Sequence, residues 1–215
     1  MKNFFKDFTE GVSAGICISL GCAVFLGLAL SKYLGAVLFA VALLCICYKG
    51  YNLYTGRIGF IPEKHDKAAV SALLSGLLGN TIAVVLFGLL IRYAVPSSGE
   101  YAYEICSAKL SQNWGQTFIR GLFCGILMYL AVSIYRDKKT VIAIVFCIPA
   151  FILSGFEHSV ADICYFAASG IVSAEAFGFL CTVIAGNTVG AVILPLLGMT
   201  CGKPNKEKEP GNEQN

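Results

Sequence analysis

Long apolar runs separated by short polar segments organise this chain. A helix needs about 20 apolar residues to cross a bilayer. Spans are predicted near Gly11–Leu30, Gly35–Tyr48, Lys67–Tyr93, Gln116–Tyr135, Val141–Leu153 and Ala174–Thr200. The second and fifth are too short to cross alone. Each ends in a polar, glycine-containing segment, YKGYNLYTG (Tyr48–Gly56) and SGFEHSVAD (Ser154–Asp162). Interrupted helices in corresponding positions of two halves are a recurring transporter pattern. The halves also share sequence. Gly11 and Gly15 match Gly121 and Gly125, and LLGNTIAVVLFGLL (Leu77–Leu90) matches IAGNTVGAVILPLL (Ile184–Leu197). Three spans per half reverse the orientation of the second half. The expected fold is therefore an all-α membrane protein with six transmembrane helices, arranged as an inverted 3+3 repeat with two broken helices.

Composition agrees with a membrane protein. The 215 residues are 57% hydrophobic and 13% charged, with a mean hydropathy of +0.73; about a quarter charged is usual in soluble domains. The ten cysteines lie mostly inside apolar segments, with no CxxC pair and no Cys/His ligand spacing. They read as packing residues, and neither metal nor cofactor is expected. Residues 1–10, MKNFFKDFTE, are too polar for the core of a cleavable signal and suggest a short interfacial segment. Residues 11–200 form the transmembrane domain, and 201–215 read as a disordered tail.

Orientation follows the distribution of Lys and Arg. With the N-terminus inside, Lys2, Lys6, Arg57, Lys64, Lys67, Arg136, Lys138, Lys139, Lys203, Lys206 and Lys208 are internal, against Lys32, Arg92 and Lys109 outside. Both termini are expected in the cytoplasm, and the protein in the plasma (cytoplasmic) membrane.

SGFEHSVAD places Glu157 and His158 between two apolar stretches. Ionisable groups at membrane depth are costly and face protein or a polar cavity. His158 is a candidate proton or hydrogen-bond donor to a permeating anion, or a histidine satisfied by backbone. Glu157 either serves the pathway or accepts backbone N–H bonds that hold the loop. Thr55, in the matching segment, offers its hydroxyl to ligand, to His158 or to a local turn. Lys109, on the outer side, either focuses the field on anions or anchors the interface. Phe39 and Leu43, one turn apart, and Phe151 are candidate constriction residues or simple packing. Asn80 and Asn187 are placed to bond freed backbone. Gly11, Gly15, Gly121 and Gly125 permit close helix contact. No phosphate-binding loop and no Ser/His/Asp set occurs. An enzyme reading lacks a nucleophile or metal set, and a neutral-solute channel of aquaporin type lacks its NPA loops.

SGFEHSVAD resembles the GFEHS(I/V)AN signature of the formate/nitrite transporter family. YNLYTG is similar to that family's (E/D)LFTGN loop, the two GNT triplets to its GN helices, and FIRGLFCGILMYLAV to one of its spans. The resemblance covers roughly residues 9–200. It implies an aquaporin-like homopentamer with one pore per protomer, conducting small monovalent anions: formate, nitrite, hydrosulfide, lactate or acetate. The family's central histidine falls on His158, its loop threonine on Thr55 and its vestibule lysine on Lys109. Its constriction falls on Phe39, Leu43, Leu53, Tyr54 and Phe151, with Tyr54 replacing a usual Phe. Three departures stand out: Gly125, Asp162 and Arg57 each replace a usual Asn. The expected function is transport of small weak-acid anions of the formate/nitrite type, coupled to protons, with hydrosulfide or short monocarboxylates as the alternative cargo.

Overall fold

The computed structural model describes residues 2–201, which form an all-α fold. The helices are α1 (Lys2–Gly27), α2 (Lys32–Lys49), α3 (Tyr54–Arg57), α4 (Lys67–Ala94), α5 (Pro96–Leu110), α6 (Trp114–Lys138), α7 (Ile142–Leu153), α8 (Ser159–Ser169) and α9 (Ala174–Thr200). Local chemistry starts several of them. Asp66 accepts from Ala69 N–H at 2.7 Å to begin α4, and Ser173 accepts from Ala176 N–H at 3.1 Å to begin α9. Asn113 and Gln116 form a reciprocal capping box at the start of α6.

Two helix pairs frame the molecule, α1 with α4 and α6 with α9. Small residues let them touch backbone to backbone. A Cβ on Gly11 would lie 2.6 Å from Gly76 O, and one on Gly79 would lie 2.5 Å from Phe8 O. Across the other pair, a Cβ on Gly186 would lie 2.5 Å from Phe118 O, and one on Gly125 would run into Asn187 O. The core between the pairs holds Ile18, Leu26, Met128, Ile144, Ile148, Val160 and Val183.

The expected six-span inverted 3+3 repeat is overturned. Among the described residues, five helical segments are long and apolar enough to cross a membrane: Phe4–Gly27, Ala29–Lys49, Lys67–Ala94, Trp114–Lys138 and Ala174–Thr200. The segment expected as the fifth of six spans is α7, with only 12 residues. At 1.5 Å per residue it reaches about 18 Å, short of a hydrocarbon core of about 30 Å. It stops because Gly155 takes φ +70° and turns the chain away. Conversely, the second segment is longer than its sequence suggested, because a 3-10 turn at Ala29–Ser31 runs into α2. The fold is a multi-pass membrane fold with five long apolar helices. Leu74, Leu78, Ile82, Leu86 and Leu89 form an exposed apolar stripe along α4, at the helical spacing a lipid or protein face requires.

Candidate functional site

Two non-helical stretches run from exposed residues into the buried interior, and one asparagine pins each. After α2, Gly50 adopts φ +70°, and its N–H and that of Tyr51 both return to Ile46 O. Asn80 on α4 then holds the next residues. Its Oδ1 accepts from Tyr54 N–H at 2.9 Å, and its Nδ2 donates to Asn52 O at 3.0 Å and Gly11 O at 2.8 Å. After α7, Asn187 on α9 repeats the arrangement. Its Oδ1 accepts from Ser159 N–H, and its Nδ2 donates to Glu157 O and Gly121 O, all at 2.8 Å. Each asparagine thus satisfies the carbonyl before, and the N–H after, one central residue: Leu53 in the first stretch and His158 in the second. Buried backbone outside helices needs such partners.

Thr55 and His158 meet directly. Thr55 Oγ1 lies 2.8 Å from His158 Nε2, with the residues 1% and 3% exposed. His158 Nδ1 accepts from Ala161 N–H at 3.1 Å, so the ring caps α8. A neutral imidazole carries one N–H. With Nδ1 occupied as acceptor, that hydrogen sits on Nε2 and donates to Thr55 Oγ1. The threonine hydroxyl keeps its own hydrogen for a third group. Phe151 stacks on the imidazole, with centroids 5.7 Å apart and planes at 18°.

Lys109, Glu157 and Asp162 form an ionic cluster next to this pair. The Lys109 ammonium contacts Glu157 Oε2 and lies 3.0 Å from Asp162 Oδ1. Gln112 Nε2 donates to Glu157 Oε1 at 2.8 Å. The Glu157 N–H donates to Arg120 O at 3.3 Å. Asp162 Oδ2 is buried and meets no hydrogen-bond partner among the described residues.

Phe39, Leu43, Leu53 and Phe151 are buried in one apolar cluster. Tyr54 belongs to a second, with Ile58, Leu73 and Ala191, and its hydroxyl is 2.7 Å from Thr188 Oγ1. A cavity of about 920 Å³ reaches Leu43, Leu53 and Gly56 from the end of the molecule that carries Lys6, Arg57, Lys64, Arg136 and Lys139. Glu10 lies 3.6 Å from Arg57, and Glu63 lies 3.6 Å from Arg136.

Several contributors carried no local signal in the sequence. Asn52 Nδ2 donates to Ala72 O at 2.7 Å and ties the first stretch to α4. Arg92 donates to Ala168 O at 3.3 Å and to Ser169 O, placing a cation at the C-terminus of α8. Gln112 gave no hint of its bond to Glu157, because the two are 45 residues apart.

The chain has relatives among known proteins. The uncharacterized transporter YwcJ of Bacillus subtilis is 31% identical over 154 residues, which cover 64% of this chain and 59% of that protein. The chain thus spans less than two thirds of that relative's length. A solved structure described as an FNT family ion channel superposes with a TM-score of 0.79 at 25% identity, covering 93% of this chain and 91% of the other. A second, described as a pentameric formate channel with formate bound, has a TM-score of 0.73 at 23% identity, covering 93% and 96%. The description "Formate/nitrite transporter" matches residues 1–200, and the chain belongs to that family.

Proposed function

We propose that this protein carries small monovalent weak-acid anions of the formate/nitrite class across the plasma (cytoplasmic) membrane, together with a proton, through a pore in each protomer of a homopentamer. The observation that carries the reading is the buried Thr55–His158 pair set among apolar side chains. Leu53 and Gly56, on either side of Thr55, line the cavity. Glu157, beside His158, binds Lys109. Chain neighbours of Thr55 thus line the cavity, and the chain neighbour of His158 belongs to the ionic cluster. The family supplies the cargo class, and the fold shared with a pentameric formate channel supports the assembly.

Solvation decides the mechanism. A bare anion in a narrow apolar passage loses on the order of 20 kcal/mol of solvation in the idealised limit. The protonated weak acid avoids most of that cost. Phe39, Leu43, Leu53 and Phe151 form the apolar passage, with Tyr54 at its edge. Within it, the Thr55 hydroxyl, its oxygen already accepting from His158, turns its hydrogen to the passing solute. His158 polarises this hydroxyl and keeps its own proton, since losing it would leave an imidazolate. Asn80 and Asn187 hold both stretches in place.

Orientation and organisation follow from charge. The cations around the cavity support a cytoplasmic placement of that end and of the start of α1, with Lys109 on the outer side. Residues 11–200 form the transmembrane domain, preceded by an interfacial segment at 1–10 in which Phe4 and Phe5 are exposed. The tail expected at 201–215 lies almost wholly outside the described residues.

The test is His158→Phe in proteoliposomes. Formate uptake is lost while the assembled oligomer keeps its size. Wild-type uptake by a correctly assembled variant refutes the reading.

A further inference from the structure

The ionic cluster holds one more carboxylate than its cation can neutralise. Lys109 is the single ammonium, and Glu157 and Asp162 are both in contact with it. Fully ionised, the three groups sum to −1. The carboxyl side chains are each 2% exposed, so water does little to screen the excess. Hydrogen bonding separates the two acids. Both Glu157 oxygens have donors, Lys109 on Oε2 and Gln112 on Oε1. Asp162 has a donor on Oδ1 alone, and its Oδ2 meets no partner among the described residues. A buried carboxylate oxygen without a donor is costly, and a proton on that oxygen lowers the cost by removing the charge.

We propose that Lys109, Glu157 and Asp162 form a proton-binding site, in which Asp162 Oδ2 holds the proton and the proton-loaded cluster is the form that admits the anion. The inference rests on the transport reading above and names its proton source. Loaded, the cluster is neutral; unloaded, it is negative and repels the anion. Asp162 lies in the first turn of the helix that His158 caps, and its own N–H donates to His158 O at 2.8 Å. The proton therefore waits one helical turn from the Thr55–His158 pair. In the transfer step, the Oδ2–H bond of Asp162 breaks and an O–H bond forms on the weak-acid anion. The neutral acid moves on, Asp162 is left as a carboxylate paired with Lys109, and a proton from external water reloads it. His158 cannot fill this role, because its one N–H is committed to Thr55 and its other nitrogen to backbone.

Other titratable groups face Asp162 from the elements packed around it. Cys22 comes from α1, Lys109 and Cys106 from α5, Cys124 from α6, and Tyr165 from its own helix. Glu157 comes from the stretch before α8. Helix α4 meets α8 through Gly88, against Cys164 and Ala167, and brings Arg92 only to the far end of that helix. Lys109 is the one cation in this set.

Two measurements on the lipid-reconstituted protein test the proposal. Infrared titration of the wild type should show a protonated-carboxyl band that persists after exposed carboxylates have ionised. Carbon-13 in aspartate side chains should shift this band, and Asp162→Asn should remove it. Formate uptake by wild type should fall as external pH rises. Asp162→Asn, which keeps a neutral donor at the position but cannot release a proton, should lower uptake and flatten that fall. No persistent band, a band shifted by glutamate label instead, or superposable uptake profiles overturn the proposal. The labelled wild type decides the proton site even if the variant fails to fold. A wild type that moves no formate at any pH sinks the transport reading, and the infrared titration still decides the proton site.

Discussion

Replacing Asn187 tests how the second non-helical stretch is held. Its side chain makes three bonds of 2.8 Å, to Ser159 N–H, Glu157 O and Gly121 O, and it is fully buried. Asn187→Ala strands the Ser159 N–H and the Glu157 carbonyl, which have no helical partners. Each stranded buried group costs about 1–3 kcal/mol, so the pair costs about 2–6 kcal/mol. That is a large share of a typical domain stability of about 5–15 kcal/mol. Asn187→Asp changes shape least, yet it turns two donor bonds into contacts between a carboxylate and carbonyl oxygens. It should be at least as damaging as Ala. Thermal unfolding in lipid measures the cost, and formate uptake measures whether His158 is still positioned between its neighbours. An Asp variant that melts and transports like wild type refutes the account of the stretch.

Gly125→Ala should destabilise by about 1–3 kcal/mol, because its Cβ would lie 2.9 Å from Ala191 N and closer still to Asn187 O. Thermal unfolding checks it, and an unchanged midpoint would mean that α6 and α9 part easily. Lys109→Gln leaves two buried acids without their cation, at a cost of about 3–5 kcal/mol, and should lower uptake at every ionic strength. A loss confined to low ionic strength, with unchanged melting, would make Lys109 a field-focusing cation instead.

Sequence pattern reached the elements governed by local chemistry. The stop after α7 was legible because Ser154, Gly155 and an ionisable pair interrupt a continuous apolar run. The number of spans was not. The polar pair Ser31–Lys32 looks like the end of an element, yet the chain there is a 3-10 turn leading straight into α2. The segment at 141–153 read as too short to cross alone, and α7 has 12 residues, but the pattern still counted it as a span. The residues and the family resemblance pointed to Thr55, His158 and Lys109, with His158 among the partners read for Thr55, but not to the pairing of Lys109 with Glu157 and Asp162. Lys109 and Glu157 are 48 residues apart, and Thr55 and His158 are 103. Such pairings depend on which helices pack together, a property of the whole fold. Asp162 read only as a departure from a motif; its unpartnered oxygen shows only when Lys109, Glu157 and Gln112 are placed around it.

Formate and chloride uptake, compared across external pH in proteoliposomes with the membrane potential clamped, tests the central claim most directly. Protein-free liposomes subtract diffusion of the acid through lipid. Formate has an accessible neutral form that escapes the solvation penalty, and chloride has none. The account predicts formate uptake that rises as external pH falls, with chloride permeating poorly throughout. Chloride flux equal to formate flux, with neither dependent on pH, would show that the pore conducts bare anions and would contradict proton-coupled passage.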